Sequence, residues 1–305
     1  MILCVAPSPA WDVTYGLDRL REHATNRATS VAARAGGKAV NVARILHALG
    51  ESAVVVAPVG GATGALFVDD LALAGVPLVA VPQDADLRRT MAFVSAETGD
   101  ATLVNEPAPL LDWQEFLAVV DEQVGGAAVI VASGSLPLGA PDTAFSDLAV
   151  LGASHGVPVV VDTSGPSLMA ALASSPTLVK PNREELAVLS GGADPVPAVQ
   201  RIARSTGVAV AASLGGEGMV LAADDQLWQA SCGETLRGNP TGAGDAAVAA
   251  LARGIGRRTP WPDALADAVA LSAAAVLATH AGEHAADRYP ELLERVVVRQ
   301  IDGAR

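Results

Sequence analysis

Short apolar, β-branched runs recur along the chain at residues 53–57 (AVVVA), 127–132 (AAVIVA), 157–161 (VPVVV) and 208–212 (VAVAA), each bounded by Gly, Pro or polar residues. Continuous runs of this length fit strands buried on both faces. Between them, amphipathic or alanine-rich stretches predict helices at 41–49, 113–123, 143–155, 183–189 and 197–206, and a longer, largely apolar one at 263–279. This alternation predicts an α/β fold: a doubly wound, mainly parallel sheet with helices on both faces. The opening MILCVAP is apolar but short and lacks a basic leader, so it reads as the first strand and not as a signal peptide.

Two stretches follow a different period. Residues 12–34 and 88–104 alternate apolar with polar positions, as in Met91-Ala-Phe-Val-Ser95 and Ala101-Thr-Leu-Val-Asn105, with Thr98-Gly99-Asp100 as a turn signal between the last two. They predict a small β-sheet outside the core, a lid from about 12–35 and 86–106 inserted in a single domain spanning 1–305. A lid over the C-terminal ends of parallel strands would cover the crevice where such sheets bind ligands.

Composition then narrows the function. Half of the 305 residues are hydrophobic but only 3% are aromatic, so the core has to be built from Ala, Val and Leu. A formal net charge of −13 disfavours nucleic acid and anionic membranes as partners, and an anionic substrate would need local donors. Gly, Pro and charged residues interrupt every apolar stretch before it could cross a bilayer. Two cysteines, Cys4 and Cys232, are too few for a disulfide framework and suit free thiols in a reducing, cytoplasmic setting.

Candidate chemistry concentrates where Asn239-Pro-Thr-Gly-Ala-Gly-Asp245 runs into an alanine-rich helix. Backbone N–H groups around Gly242, Ala243 and Gly244 can approach an anion at the helix N-terminus. A phosphate there would repel Asp245, unless Asp245 takes a proton from the attacking group. Simple capping of the first turn is the competing reading. A second glycine turn, Gly36-Gly-Lys-Ala-Val-Asn-Val-Ala-Arg44, also leads into a helix and can hold sugar hydroxyls, though glycine turns before helices are common as plain loops. It has neither the P-loop ending nor the dinucleotide glycine spacing. His280-Ala-Gly-Glu-His284 matches a zinc-peptidase pattern that requires a helix, which Gly282 disfavours; a loop near the nucleotide base is expected there.

The two glycine motifs together, with Ser133-Gly-Ser-Leu-Pro-Leu-Gly139, Val179-Lys-Pro-Asn-Arg-Glu-Glu-Leu186 and Ser213-Leu-Gly-Gly-Glu-Gly218 between them, resemble the PfkB-type, ribokinase-like carbohydrate kinases. Within that family the resemblance runs toward the 1-phosphofructokinase, 6-phosphofructokinase and tagatose-6-phosphate kinase branch. It implies an ATP- and Mg²⁺-dependent phosphotransferase acting on a hydroxyl of a ketohexose phosphate, cytoplasmic, and a homodimer joined through the lid. By the resemblance Asp245 is the base, and Gly242, Ala243 and Gly244 form the anion hole. Asp12, Gly36, Gly37, Lys38 and Asn41 bind sugar, while Arg88, Arg27 and Ser135 receive the sugar phosphate. Lys180, Asn182, Ser213 and Gly215 bind the nucleotide together with Gly242 and Gly244, and Glu185 organises Mg²⁺ largely through water. Asp162 is either a supporting carboxylate or a turn cap. Ala39 and Thr90 depart from the family pattern and leave the choice of sugar open. The alternatives are a kinase of an unphosphorylated sugar or nucleoside and, from another class, a catalytically silent sugar-binding regulator.

Overall fold

A computed structural model describes residues 1–98, 100–233, 236 and 238–301. The chain forms strands β1 (Ile2–Val5), β2 (Ala10–Leu17), β3 (Ser30–Gly36), β4 (Ala53–Val59), β5 (Leu78–Pro82), β6 (Arg89–Ser95), β7 (Ala101–Asn105), β8 (Val129–Ser133), β9 (Val159–Asp162), β10 (Leu178–Val179), β11 (Ala209–Ser213), β12 (Met219–Ala223), β13 (Gln226–Ser231) and β14 (Val297–Gln300). Helices are α1 (Lys38–Ala48), α2 (Gly61–Leu73), α3 (Trp113–Val124), α4 (Ala144–Ser154), α5 (Gly165–Ala173), α6 (Arg183–Ser190), α7 (Pro195–Thr206), α8 (Ala243–Arg257), α9 (Trp261–Val276) and α10 (Tyr289–Arg295).

Ten strands make one sheet in the order β14-β13-β12-β11-β10-β9-β8-β1-β4-β5. From β5 to β11 neighbours are parallel, and β12, β13 and β14 add an antiparallel edge. Successive residues of the central strands feed opposite layers: Ile2 and Cys4 pack toward α1, α8 and α9, whereas Leu3 and Val5 pack toward α3, α4 and α7. With few aromatics, close packing rests on alanine, and Ala246, Ala249, Ala250 and Ala252 of α8 are fully buried. Among the described residues no helix is long and apolar enough to cross a membrane.

The expected elements are present, with ends displaced by a few residues. The last long helix stops at Val276, short of residue 279, because the Asn239 N–H takes the Val276 carbonyl (2.9 Å) and the Asn239 amide takes that of Thr279 (3.1 Å). The two period-2 stretches form a separate four-stranded sheet, β3-β2-β6-β7, in which β2 pairs antiparallel with β3 and parallel with β6. Strands β6 and β7 pair antiparallel as the turn signal implied; Gly99 of that turn lies outside the described residues.

The register sorts the small sheet into two faces. Tyr15 stands opposite Val31 and beside Phe93, Val13 beside Met91, and Met91 opposite Val104, so one face is apolar. Asp12, Arg34 and Thr90 share the other face. Within the large sheet the chain goes from β1 outward to β4 and β5, then returns to place β8 on the other side of β1. That reversal opens a crevice at the C-terminal strand ends.

Candidate active site

Strand ends deliver most of the polar groups. Ser8 follows β1, Ser135 follows β8, Asp162 ends β9, Lys180 follows β10 and Ser213 ends β11. Facing them are the N-termini of α1 and α8. The turn before α1 needs Gly37 at φ 98°, and a side chain on Gly36 would collide with the Asp12 carboxylate. Asp12 therefore sits directly on the glycine turn, with Gly37 and its cross-strand neighbour Thr90 beside its carboxyl. Burial pushes its pKa above the usual carboxylate range, against the pull of Thr90, Arg88, Gly37 and Arg34.

Beside Asp12, Arg88 Nε donates to Ser8 Oγ (3.0 Å) and Arg88 Nη1 to Thr90 Oγ1 (3.4 Å), while Ser135 Oγ lies 3.3 Å from Ser8 Oγ. This places a half-buried guanidinium and two hydroxyls around one spot, a donor set suited to phosphate oxygens. Arg27 is not tied to it. It lies exposed in the β2–β3 connection, where Asn26 is spent on the Arg21 backbone, and no hydrogen bond or ion pair joins Arg27 to Ser8, Arg88 or Ser135.

At the start of α8 the Ala243 N–H is taken by the Pro240 carbonyl (3.2 Å), and the rest of the turn is open. Gly242 takes φ 87° as the N-cap without any side-chain cap bond, and the N–H groups of Gly244 and Asp245 have no acceptor among the described residues. Lys180 approaches from the sheet: its Nζ lies 3.5 Å from where a side chain on Gly244 would begin. The buried Asp162 binds Lys180 Nζ at 3.4 Å and Lys38 Nζ at 3.5 Å, with Ser133 Oγ on its other oxygen at 3.3 Å. Burial pushes Asp162 up, but the two lysines outweigh it and hold the carboxyl below its usual range. Asp162 is thus an anchor for two cations, and not the turn cap that was its alternative reading.

Asp245, 6% exposed, accepts a hydrogen bond from Asn41 Nδ2 at 2.8 Å. Burial first, and then the negative Asp162, raise its pKa to about 7, with Lys38, Asn41 and Lys180 opposing. Asn41 lies one helical turn beyond Gly37, whose carbonyl accepts from the Asn41 N–H (3.0 Å). Asp12 at one end of that turn and Asp245 at the other are therefore bridged by a rise of about 6 Å.

Across the α8 turn lies a cavity of about 860 Å³, lined by Asn182, Ser213, Gly215, Pro240, Ala243 and Gly244 among others. Its size suits a nucleotide, and small residues leave the backbone accessible. Asn182 and Glu185 form a reciprocal capping box, each side chain accepting from the other's N–H at 2.8 Å. Only one oxygen of Glu185 is so engaged, and Oε1 carries no hydrogen bond among the described residues. A single carboxylate with neighbouring waters fits Mg²⁺, which retains most of its hydration.

Residues 280–284 form a turn with Gly282 at φ 78°, not the helix a paired-histidine zinc site needs. The segment does not line the nucleotide cavity as expected; it packs instead on Gly242 and Asn41. Sequence reasoning missed Ser8 and the role of the Thr90 hydroxyl as an acceptor for Arg88. Ser8 had a readable signal, standing just past the C-terminal end of a central parallel strand.

Fold and site together define a sugar-kinase architecture of the ribokinase type, and comparison with known proteins agrees. Residues 9–287 match the family of pfkB carbohydrate kinases. The chain is 33% identical over 290 residues to a 1-phosphofructokinase of Xanthomonas campestris pv. campestris, covering 91% of this chain and 88% of that protein. The structure of phosphofructokinase-2 from Escherichia coli in complex with fructose-6-phosphate is similar at a TM-score of 0.86 and 28% identity, over 96% of this chain and 98% of that one. A ribokinase from Thermotoga maritima shares the fold, with a TM-score of 0.76 at 17% identity over 96% and 99% of the two chains. The chain belongs to the pfkB family of carbohydrate kinases.

Proposed function

We propose that this kinase transfers the γ-phosphoryl group of ATP to a hydroxyl of a ketohexose phosphate, with Asp245 as the base. The supporting observation is the pairing of a buried carboxylate titrating at about 7 with free N–H donors in the same helix turn. A base of that pKa is half ionised near neutral pH, where it can accept a proton without being permanently charged beside phosphate. The similarity to a 1-phosphofructokinase, and to a phosphofructokinase-2 solved with fructose-6-phosphate, supports the substrate class.

In this reading Asp12, Gly36, Gly37 and Asn41 hold sugar hydroxyls. Ser8, Arg88 and Ser135 take the phosphate already on the sugar, and Arg27 is at most a peripheral contributor. The acceptor hydroxyl gives its proton to Asp245 while its oxygen bonds to the γ-phosphorus, and the bond from that phosphorus to the β–γ bridging oxygen breaks, releasing ADP. The free N–H groups of Gly244 and Asp245 at the Gly242-Ala243-Gly244 turn, with Lys180 and Lys38, stabilise negative charge on the equatorial oxygens. Asn182, Ser213 and Gly215 hold the nucleotide. Mg²⁺ would be held by Glu185 through water and, when bound, supplies positive charge to the phosphates.

The small sheet acts as a lid that excludes water from the transfer step and limits idle ATP hydrolysis. Its apolar outer face, with Val31 60% and Val104 46% exposed, supports a homodimer joined through this sheet. The buried thiol of Cys4, outside any disulfide, supports a reducing, cytoplasmic setting.

A coupled assay over a panel of ketohexose phosphates and unphosphorylated ketohexoses tests the reading. ADP release with a phosphorylated ketohexose and little with its unphosphorylated parent is expected. Efficient turnover of unphosphorylated sugar, or none with any ketohexose phosphate, would overturn it.

A further inference from the structure

The segment 280–284 is held at both ends and loosely within. Its start is fixed by the Asn239 amide on the Thr279 carbonyl (3.1 Å), and its end by the Ala285 N–H on the Ala274 carbonyl (3.0 Å). Inside it, one backbone bond spans the turn, from the Glu283 N–H to the His280 carbonyl at 3.3 Å.

Its inner side touches the transfer machinery. A side chain on Gly242 would begin 2.9 Å from Ala281 Cα, and one on Gly282 would begin 3.1 Å from Asn41 Oδ1, so both glycines let the backbone close on its neighbour. Asn41 is the residue that binds Asp245. Displacing this segment would therefore disturb the anion turn and the base together.

The outer side is gripped by the small sheet. Arg34 of β3 donates from Nη1 to the Ala281 carbonyl (3.1 Å) and from Nη2 to Glu283 Oε1 (2.6 Å). Arg34 is the cross-strand partner of Asp12, on the same face, and its charge acts on that carboxylate. One guanidinium thus connects the strand that carries the sugar-facing acid to the segment that backs the phosphoryl-receiving turn.

We propose that Arg34 and Glu283 form a latch that keeps the Asp12 strand in register with the Gly242 turn, making both of them positioning residues for phosphoryl transfer. The proposal rests on the functional reading above and adds to it how the two halves of the site are aligned. Glu283 is 40% exposed at its side chain, so the pair contributes little to stability by itself. Its value lies in geometry, because a misplacement of about 1 Å between reacting groups can cost about a hundredfold in rate. Lysine at 34 keeps the charge but cannot hold two acceptors in a planar fork.

The test compares the full chain with Glu283→Gln, Arg34→Lys and the double variant. Each single change should lower kcat about tenfold with KM for ATP within about twofold, and the double variant should fall no further than the worse single one. Tm should stay within about 2 °C, as expected for a half-buried pair at the edge of the core with the acid partly in solvent. A kcat loss under about threefold in Glu283→Gln, or losses that multiply in the double variant, would overturn the latch. If the unaltered chain transfers nothing to any ketohexose phosphate, the functional reading fails on its own, and amide hydrogen exchange still tests the latch. Glu283→Gln should then speed exchange in both 280–284 and 30–36; a change confined to one segment, or absent from both, overturns it.

Discussion

The Asn41 amide and the Asp245 carboxylate, 204 positions apart in sequence, meet at 2.8 Å between the N-terminal turns of α1 and α8. That contact joins the glycine turn before α1, which we propose faces the sugar, to the one before α8, which we propose faces the phosphoryl group. It also favours the ionised form of Asp245, against burial and the field of Asp162. Replacing Asn41 by Leu removes the donor while keeping comparable volume. The apparent pKa of the base should rise and the ascending limb of the rate profile should move to higher pH, measured as kcat against pH. An unshifted limb would mean that this hydrogen bond does not act on the base.

The pKa of Asp245 also links pH to stability. It is raised in the folded chain to about 7, so the native state holds a proton that the unfolded chain releases at a lower pH. The stabilising effect of that proton is complete below the unfolded value and is lost as pH rises through about 7. Asp245→Asn stays neutral throughout. Its Tm should exceed that of the unaltered chain at pH 8, with the gap narrowing as pH falls below about 7 and closing only near 3.8, the ordinary carboxylate value, in thermal melts across that range.

On the proposed reading, Arg88 discriminates between substrate classes. Arg88→Met should raise KM for the ketohexose phosphate by about a hundredfold, in line with losing a charge-assisted, forked phosphate contact. Any residual activity on the unphosphorylated sugar should be nearly unchanged, because its hydroxyls face Asp12. Steady-state kinetics on both substrates checks this, and equal KM changes for the two would remove Arg88 from the phosphate site.

Asp162 is buried together with Lys180, while Lys38 reaches it from a half-exposed position, so removing its charge leaves a buried cation without its partner. Asp162→Asn should destabilise the fold by about 3 kcal/mol, as for other buried pairs broken on one side, and should lower kcat as Lys38 and Lys180 lose their position. Urea denaturation and steady-state rates measure the two effects.

Much of this was legible in the chain, for identifiable reasons. Strands such as β4, β8 and β9 are apolar on both faces and so stand out against their surroundings. The small sheet was readable because its period is two, with one face polar. Helices α2 and α5 were not named because each opens on glycine without a side-chain cap. In the antiparallel edge, β12 and β13 are a local hairpin across Asp224-Asp225, a turn without the usual glycine, whereas β14 is joined to β13 by pairs as distant as Ser231 and Val297. In the site, Asp245, Asp12 and Arg88 announced themselves through motifs, whereas the double grip of Asp162 on Lys38 and Lys180 depends on three separate strand and helix ends meeting. The 280–284 segment was recognised as a loop, but its place against Gly242 and Asn41 is a tertiary fact with no local signal.

The apolar face of the small sheet gives a prediction for assembly. On the proposed homodimer, the unaltered chain should sediment as a dimer, and Val31→Lys combined with Val104→Lys, which places two charges on that face, should shift it to monomer. An unchanged sedimentation coefficient would place the dimer contact elsewhere.

Asp245→Asn tests the central claim most directly, because it keeps size and removes the proton acceptor. Rapid-quench measurement of a single phosphoryl transfer to the best ketohexose phosphate should show a rate at least about a thousandfold lower, with sugar-phosphate affinity retained. A transfer rate within about tenfold of the unaltered chain would contradict Asp245 as the base.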